Sequence, residues 1–262
     1  MPRKRPPITR QAEAAGPPAA GSPPHLRRPR GERRKLQTRA KLLDAAFRLM
    51  AARGMDAVAI SEITETADVG AGSFYNHFES KEAIHAAVTQ LVFEEFADAL
   101  KQSVAPLRDP AEVIAVCVRQ TVARAAREPD WAQFLLREAN SERAASHGLG
   151  PRLWRDMQAG FSSARLKVPD PALSFVAASG TVLAAVATQA RSATSQKGEA
   201  PAVRGPDVPE RTATLVLVIL GLSYKEAGVV ARRPLPSTLA EPTTPAPAVA
   251  RATRLRGPAT KR

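Results

Sequence analysis

The sequence predicts an all-α protein, and three observations support this prediction. Apolar residues recur at intervals of three or four along most of the chain, the spacing that gives a helix one apolar face. No segment shows the apolar–polar alternation of a half-buried strand. Alanine is abundant, while aromatic residues make up only 5% of the 262 residues. This composition favours helices packed through small side chains and disfavours a β-sandwich.

The predicted helices follow one another with recognisable ends. Gly54 is the residue type that commonly ends a helix, and Ser80 is a type that caps the start of one. Pro106 and Pro110 separate two long helices near the middle of the chain. The helices are expected at residues 33–53, 61–67, 71–78, 81–100, 111–128, 131–140, 151–167, 171–191, 210–220 and 223–232.

Both ends of the chain are rich in Pro, Ala and Arg and lack helical periodicity, so they cannot bury enough apolar surface to become ordered. The net formal charge is +13, and all of the excess positive charge lies in these ends. We expect a disordered basic arm at residues 1–31 and a helix-turn-helix domain at 32–80. A larger helical domain follows at 81–232, with a mobile loop at 192–209, and a disordered basic tail at 233–262.

Residues 59–78 contain two short helices joined by a tight turn. Asp68 occupies the turn, where a positive φ is often required and where Asp is tolerated better than most residues. The small residues from Gly70 to Ser73 would let the second helix approach a DNA groove closely. The apolar residues expected to wedge the two helices together are Ile60, Ile63, Ala67, Val69, Phe74 and Phe78. An ordinary pair of packed helices is the alternative interpretation.

Residues 69–84, VGAGSFYNHFESKEAI, resemble the pattern V-S-x-G-T-L-Y-x-H/Y-F-x-S-K-E-x-L of the TetR family of repressors. The resemblance covers roughly residues 33–90. Thr64, Asp68 and Gly70 differ from the residues that are usual in the family. The resemblance implies a homodimer that binds double-stranded DNA at a palindromic operator and responds to a small-molecule effector.

The resemblance also implies which side chains contact DNA. Ser73 and Asn76 are the candidates for hydrogen bonds to base edges, whereas Tyr75 and Lys81 would bind phosphates. Ser61 would contact a phosphate or a base. The complete candidate DNA-binding set is Ser61, Ala71, Gly72, Ser73, Tyr75, Asn76, His77, Lys81, Arg33 and Arg34.

The helix-turn-helix region is itself poor in positive charge. Residues 36–86 contain five Lys or Arg and seven Asp or Glu, which gives a net charge of −2. Because DNA is a polyanion, the basic residues at the start of the chain, with Arg33 and Arg34 following the arm, are expected to lie along the phosphate backbone or in the adjacent minor groove. A solvated tail that makes no contact with DNA is the alternative.

Apolar side chains on the later helices form either a plain core or the lining of an effector pocket. The candidate pocket residues are Cys117, Trp131, Phe134, Trp154, Met157, Phe161 and Phe175. Cys117 lies in an apolar run, which favours an inert buried thiol over a redox sensor. The helices at 171–191 and 210–220 are apolar on more than one face, which indicates burial in the core or against a partner. The resemblance implies that they form a four-helix dimer interface.

No constellation in the sequence supports catalysis. The single cysteine excludes an intramolecular disulfide, and we find no Ser-His-Asp order, phosphate-binding loop, dinucleotide-binding pattern or metal-ligand spacing. No apolar run reaches 18 residues, so we expect a cytoplasmic protein without a membrane partner or cofactor. The resemblance implies a sequence-specific transcriptional regulator rather than an enzyme. Repression, released by a small apolar effector, is the family's usual mode, and activation is the alternative mode. A helical small-molecule-binding or assembly protein that keeps the fold without operator binding is the alternative.

Overall fold

The computed structural model describes residues 30–139, 149–192 and 203–236, and all regular secondary structure in these ranges is helical. The all-α prediction is confirmed. Most of the predicted basic arm and tail, and part of the predicted loop, lie outside the described residues. The helices are α1 (Arg30–Arg53), α2 (Ile60–Thr66), α3 (Gly72–Tyr75), α4 (Lys81–Val104), α5 (Pro110–Arg127), α6 (Pro129–Glu138), α7 (Gly150–Ser162), α8 (Pro171–Ser192), α9 (Val208–Ile219) and α10 (Tyr224–Ala231).

Helix α7 ends earlier than its sequence pattern predicts. It stops at Ser162 rather than near residue 167, because Ala164 takes a positive φ of 55° that no longer continues the helix. The backbone amides of Arg165 and Leu166 then both donate to the carbonyl oxygen of Gly160, at 2.9 and 3.0 Å. These bonds satisfy a carbonyl that the helix end would otherwise leave free.

Other helix ends also differ from the prediction, and α4 continues to Val104 rather than to residue 100. The helix predicted at 71–78 is reduced to the single turn Gly72–Tyr75, and turn residues follow it. Helix α1 already begins at Arg30, inside the segment predicted to be a disordered arm. Helix α9 begins at Val208, inside the predicted loop, because Pro209 in its first turn has the fixed φ that suits a helix start.

The turns predicted at Gly54 and Asp68 and the helix cap predicted at Ser80 are confirmed. Gly54 follows α1 with a φ of +83°, and Asp68 joins α2 to α3 with a φ of +53°. The Ser80 hydroxyl accepts a hydrogen bond from the Ala83 amide, at 3.2 Å, and caps the start of α4. These local features set the directions in which the first four helices leave their turns.

The buried apolar side chains form two clusters. The first cluster joins α1–α4 to α6 and to the end of α8. Within it, the Phe134 ring of α6 lies 5.5 Å from the ring of Phe47 on α1 and 5.9 Å from that of Phe93 on α4. The second cluster joins α5 to α7, α8, α9 and α10 and includes Ile114 and Leu217. The helix-turn-helix therefore shares a core with α6 rather than standing apart from the remaining helices.

Polar contacts also attach α6 to the first helices. Arg137 donates from Nε to the carbonyl oxygen of Ala51, at 3.0 Å, and from Nη2 to that of Ala52, at 2.8 Å. Both carbonyls belong to the last turn of α1, where helix geometry supplies no partner. The next residue, Glu138, bonds the imidazole of His85 on α4 at 2.8 Å. Helix α6 thus contacts both α1 and α4 through consecutive side chains.

We predict that Gly221→Ala strongly destabilises the protein. Gly221 has a φ of +94°, and a Cβ atom at this position would collide with the backbone carbonyl oxygen of Lys167. Because both the strain and the collision involve backbone, we expect the free energy of unfolding in urea to fall by about 3 kcal/mol. Gly31→Ala is the control, since Gly31 lies in α1 with open space around it. Equal effects of the two substitutions would contradict the prediction.

Candidate DNA-binding surface and effector cavity

Helices α2 and α3 are wedged together by apolar side chains that point inward. Ile63 and Phe74 are completely buried, and Phe78 beyond the end of α3 is 5% exposed. The positive φ of Asp68 turns the chain between the two helices. Because Phe74 anchors α3 from below, the opposite side of this short helix faces solvent.

Four of the predicted DNA-contacting residues are exposed in or beside α3, namely Ala71, Gly72, Tyr75 and Asn76. Tyr75 is 65% exposed, although its ring packs in a T-shaped arrangement with that of Phe74, with the two ring centres 5.4 Å apart. Lys81 donates to the carbonyl oxygen of Asp56 at 3.4 Å, so its position is restricted. The exposed members are Ser61, Ala71, Gly72, Tyr75, Asn76, Arg33 and Arg34, and the half-buried members are Ser73, His77 and Lys81. Residues 71–77 are brought together by α3, whereas Arg33 and Arg34 occupy the first turns of α1.

A carboxylate that the resemblance does not single out holds the start of α2. Glu62 accepts a hydrogen bond from the amide of Ala59, at 2.8 Å, and another from Arg53, at 2.7 Å. The backbone bond is the main cause that lowers the pKa of Glu62, and Arg53 adds to it. Since Arg53 is the last residue of α1, this contact fixes α2 against α1.

The surroundings of His77 favour its neutral form. Partial burial lowers the pKa of this imidazole below its ordinary value, and the positive charges of Arg39 and Lys35 lower it further. A neutral imidazole can donate or accept a hydrogen bond, but it supplies no positive charge for a phosphate. His77 is therefore suited to a hydrogen bond at a base edge or backbone rather than to an ion pair.

A cavity of about 700 Å³ lies behind the helix-turn-helix. This volume is in the range of sites that hold small molecules. Its wall is formed by side chains of α4, α5, α6, α7 and α8. The lining residues are Thr89, Phe93, Leu100, Cys117, Val118, Thr121, Leu135, Glu138, Ala139, Leu149, Gly150, Pro151, Arg152, Leu153, Trp154, Asp156, Ala172, Phe175, Val176, Ser179, Val182 and Leu183.

The structure separates the seven apolar residues predicted for the pocket into two groups. Cys117, Trp154 and Phe175 line the cavity, and the rings of the last two meet edge to face at 5.6 Å. The other four are not part of the cavity wall. They pack in the two apolar clusters, and they are Trp131, Phe134, Met157 and Phe161. These four side chains pack against neighbouring helices. Helical periodicity identifies an apolar face, but it does not show whether that face meets another helix or a cavity.

The cavity also has a polar side, which the sequence interpretation missed. Arg152 donates from Nη1 to the carbonyl oxygen of Ala97, at 3.1 Å, while its buried Nε makes no hydrogen bond within the described part of the chain. That Nε lies 3.8 Å from a carboxylate oxygen of Asp156. Burial raises the pKa of Asp156, against the opposing effect of Arg152. The buried hydroxyl of Thr89, from α4, likewise makes no hydrogen bond among the described residues.

An apolar surface lies on α8 and α9. Leu173, Val176 and Leu215 are between 52% and 64% exposed. By length and composition alone, α8 is apolar enough to cross a membrane. Only 11% of its apolar stretch is buried. The sequence analysis does not predict this, because it considers only uninterrupted apolar runs. Helix α8 nevertheless packs against α5, α6, α7 and α9. One side of α8 therefore belongs to the core, and the other is available to a partner.

Two sequence families match the chain. The family described as "Bacterial regulatory proteins, tetR family" matches residues 42–88. The family described as "Tetracyclin repressor-like, C-terminal domain" matches residues 109–233. These segments contain the helix-turn-helix and most of the helices that enclose the cavity.

Solved structures with the same fold include RolR in complex with the ligand resorcinol. Its sequence is 33% identical to this chain, with a TM-score of 0.58, over 79% of this chain and 100% of RolR. RolR without ligand is 34% identical, with a TM-score of 0.56, over 76% and 100% of the two chains. FadR from Bacillus subtilis in complex with stearoyl-CoA is 19% identical, with a TM-score of 0.55, over 69% and 97%, and it shares the fold.

The HTH-type transcriptional repressor DhaR of Mycobacterium sp. (strain GP1) is a further relative. It is 37% identical over 75 residues, which are 29% of this chain and 36% of DhaR. The chain thus matches about a third of the length of this curated relative. Matches on both parts of the chain, together with an exposed α3 above a buried Phe74, show that this protein belongs to the TetR family and is a transcription regulator, not an enzyme.

Proposed function

We propose that this protein is a sequence-specific repressor that acts in the cytoplasm as a homodimer on a palindromic operator. A small hydroxylated aromatic molecule fills the cavity and releases the DNA. The observation that carries the proposal is the row of small and polar residues at 71–77, which faces solvent above the fully buried Phe74. A helix-turn-helix places such a row in the major groove.

The chemistry of the candidate residues supports a division of roles on DNA. Ser73 and Asn76 carry groups that both donate and accept, so they suit the patterns on base edges. Tyr75 and Lys81 suit phosphates, which set the register of the protein without reading sequence. Ser61, exposed in α2, would add a further contact. The two glycines and one alanine at 70–72 allow the backbone itself to approach the groove.

The net charge of −2 over residues 36–86 requires a second source of positive charge. Arg33 and Arg34 are exposed in the first turns of α1 and continue the basic segment that precedes this helix. Their phosphate contacts would offset the acidic residues of the helix-turn-helix. In this proposal the arm contributes affinity, and α3 contributes sequence specificity.

The polar side of the cavity supports a hydroxylated effector. The gap of 3.8 Å between Arg152 Nε and Asp156 is too long for a direct hydrogen bond. A hydroxyl can accept from Arg152 and donate to Asp156 at the same time, so it satisfies both groups. An anionic ligand would be repelled by Asp156, and a cationic one by Arg152. The rings of Trp154 and Phe175 provide an apolar wall for an aromatic body.

The relative RolR, whose full length this chain covers at 33% identity, was solved with resorcinol. Resorcinol is a neutral aromatic ring with two hydroxyls, which agrees with the class that the cavity favours. We therefore choose resorcinol as the first probe for this protein.

The apolar surface of α8 and α9 supports the homodimer. Leu173, Val176 and Leu215 would be costly to leave in water together, and a two-fold interface would cover them in both subunits at once. Two-fold symmetry of the protein in turn implies an operator with two inverted half-sites. The same burial would explain the apolar character of α8 without a membrane.

Helix α6 would transmit the effect of effector binding from the cavity to the DNA-binding helices. Leu135 and Glu138 of this helix line the cavity, whereas Arg137 bonds the end of α1. Filling the cavity would favour one placement of α6, and with it one placement of the two recognition helices in the dimer. The placement favoured by the effector is the one that fits the operator less well.

We predict that the full-length protein selects an inverted repeat from a random duplex library. Asn76→Ala should weaken binding to the selected duplex by about 10-fold or more, because a good base contact contributes about 1–3 kcal/mol of discrimination. Gln90→Ala, exposed on α4, is the control and should leave binding unchanged. Enrichment of no sequence would overturn operator binding and favour a protein that keeps the fold without it. Enrichment of a single half-site would overturn the dimer.

We predict that resorcinol quenches or shifts the fluorescence of Trp154 in a Trp131→Phe variant, which leaves Trp154 as the only tryptophan. Arg152→Met and Asp156→Ala should each weaken resorcinol binding by about 10-fold or more, because each removes a hydrogen bond to a charged group. Asp98→Asn, exposed on α4, is the control. Benzene binding as tightly as resorcinol, or benzoate binding more tightly, would contradict the proposed role of the polar side.

We predict that Cys117 reacts slowly with thiol reagents in the folded protein. Burial raises the pKa of its thiol from 9.0 to about 11, which outweighs the opposing effect of Arg152. At pH 8 the thiolate is then about 100-fold less populated than in the unfolded chain. Because a thiolate of higher pKa is also a stronger nucleophile, we expect the reaction to slow by about 10-fold. Resorcinol in the cavity should slow it further. Equal rates in native buffer and in urea would show that the thiol is open to solvent.

A further inference from the structure

Helix α3 is too short to hold its own conformation. It consists of the four residues Gly72–Tyr75, and no side chain caps its start at Ala71. One helical turn is unstable in isolation, and glycine makes it less stable still. The side chain of Phe74 fixes the inner face of α3. The chain that leaves α3 is held at Phe78, whose amide donates to the Phe74 carbonyl oxygen at 3.0 Å and whose ring is buried, so the orientation of α3 depends on how Phe78 is held. The residues proposed to read DNA therefore need a second anchor after the end of the helix.

Arg39 of α1 supplies contacts at this place. Its Nη1 donates to the backbone carbonyl oxygen of His77 at 3.0 Å. Its guanidinium carbon lies 4.3 Å from the centre of the Phe78 ring, in the geometry of a cation–π contact. One side chain thus binds two consecutive residues directly beyond α3, and those residues follow Asn76.

Arg39 is itself held by the core of the helix-turn-helix. It is half-buried, and the following residues Leu42 and Leu43 of α1 are buried in the first apolar cluster. Its guanidinium is engaged by the protein on one edge and one face, through the carbonyl of His77 and the ring of Phe78. These contacts fix its direction toward the exit of α3.

We propose that Arg39 is a positioning residue that sets the orientation of Asn76 and His77 for DNA recognition. It acts by clamping the carbonyl of His77 and the ring of Phe78 to α1. The inference rests on the proposed operator binding. In this proposal Arg39 holds the recognition segment in place and makes no direct contact with a phosphate.

The test compares three full-length variants with the wild type. Arg39→Met keeps the aliphatic stem but removes the guanidinium, and Arg39→Lys keeps the charge but cannot lie flat on Phe78. Arg48→Met is the matched control, because Arg48 is an exposed residue of α1 whose ion pair among the described residues is with Asp44, at 2.9 Å on the same helix. The unfolding midpoint and the affinity for resorcinol are measured for each variant to establish that the fold is retained.

The first measurement is amide hydrogen exchange of the free protein, which does not depend on DNA binding. We expect Arg39→Met to speed exchange by about 10-fold or more in the segment 72–78, with little change in α2. Exchange in 72–78 that equals that of the wild type would overturn the clamp, whatever the protein binds. Because hydrogen exchange is measured without an operator, its outcome separates failure of the clamp from failure of the proposed function.

The second measurement is affinity for the selected duplex and for a shuffled duplex over a range of salt concentrations. For Arg39→Met we expect a loss of at least 10-fold on the selected duplex and less than twofold on the shuffled one, with an unchanged salt slope. A phosphate contact would instead lower the slope by about 0.9 and weaken both duplexes alike, and this would overturn the proposal. Full recovery in Arg39→Lys would also overturn it, because charge alone would then suffice.

Discussion

The packing of Phe134 between Phe47 and Phe93 is the contact on which the rest of the structure depends. Helices of seven and four residues, such as α2 and α3, cannot stay folded without tertiary support. They are supported by α1, and α1 is in turn packed on α6 through this aromatic group. Because α6 also forms part of the cavity wall, the position of the recognition segment is determined partly from the cavity side.

The sequence predicts the helical elements well because their ends are set by local chemistry. Gly54, Asp68 and Ser80 act through their own backbone or side-chain preferences, so their residue types suffice. The end of α7 was predicted too late, because Ala164 takes a positive φ that its residue type does not favour. That conformation depends on how Leu166 packs in the second cluster, which only the tertiary structure shows.

The cavity was harder to predict, because periodicity identifies an apolar face but not what that face meets. Trp131 and Trp154 have equivalent sequence signals, yet one is buried against Phe96 and the other lines the cavity. Arg152 and Asp156 read as a solvated pair one turn apart on a helix, although both face the cavity. Their functional meaning arises from burial, since a partly desolvated pair that does not close its own hydrogen bond selects a neutral, hydroxyl-bearing partner.

A regulator of this kind must combine an exposed reading surface with a fixed geometry. Because Ala71, Gly72, Tyr75 and Asn76 are exposed, Phe74 is the one fully buried side chain of α3. The net charge of −2 over residues 36–86 offers little electrostatic attraction to compensate for a misplaced α3. Under the proposed function, affinity therefore depends on the basic arm, while specificity depends on how rigidly α1 holds α3. The contacts that α1 makes, through Arg39 within the helix and through the carbonyl that Arg137 of α6 binds at its last turn, are then as important for recognition as the side chains that touch DNA.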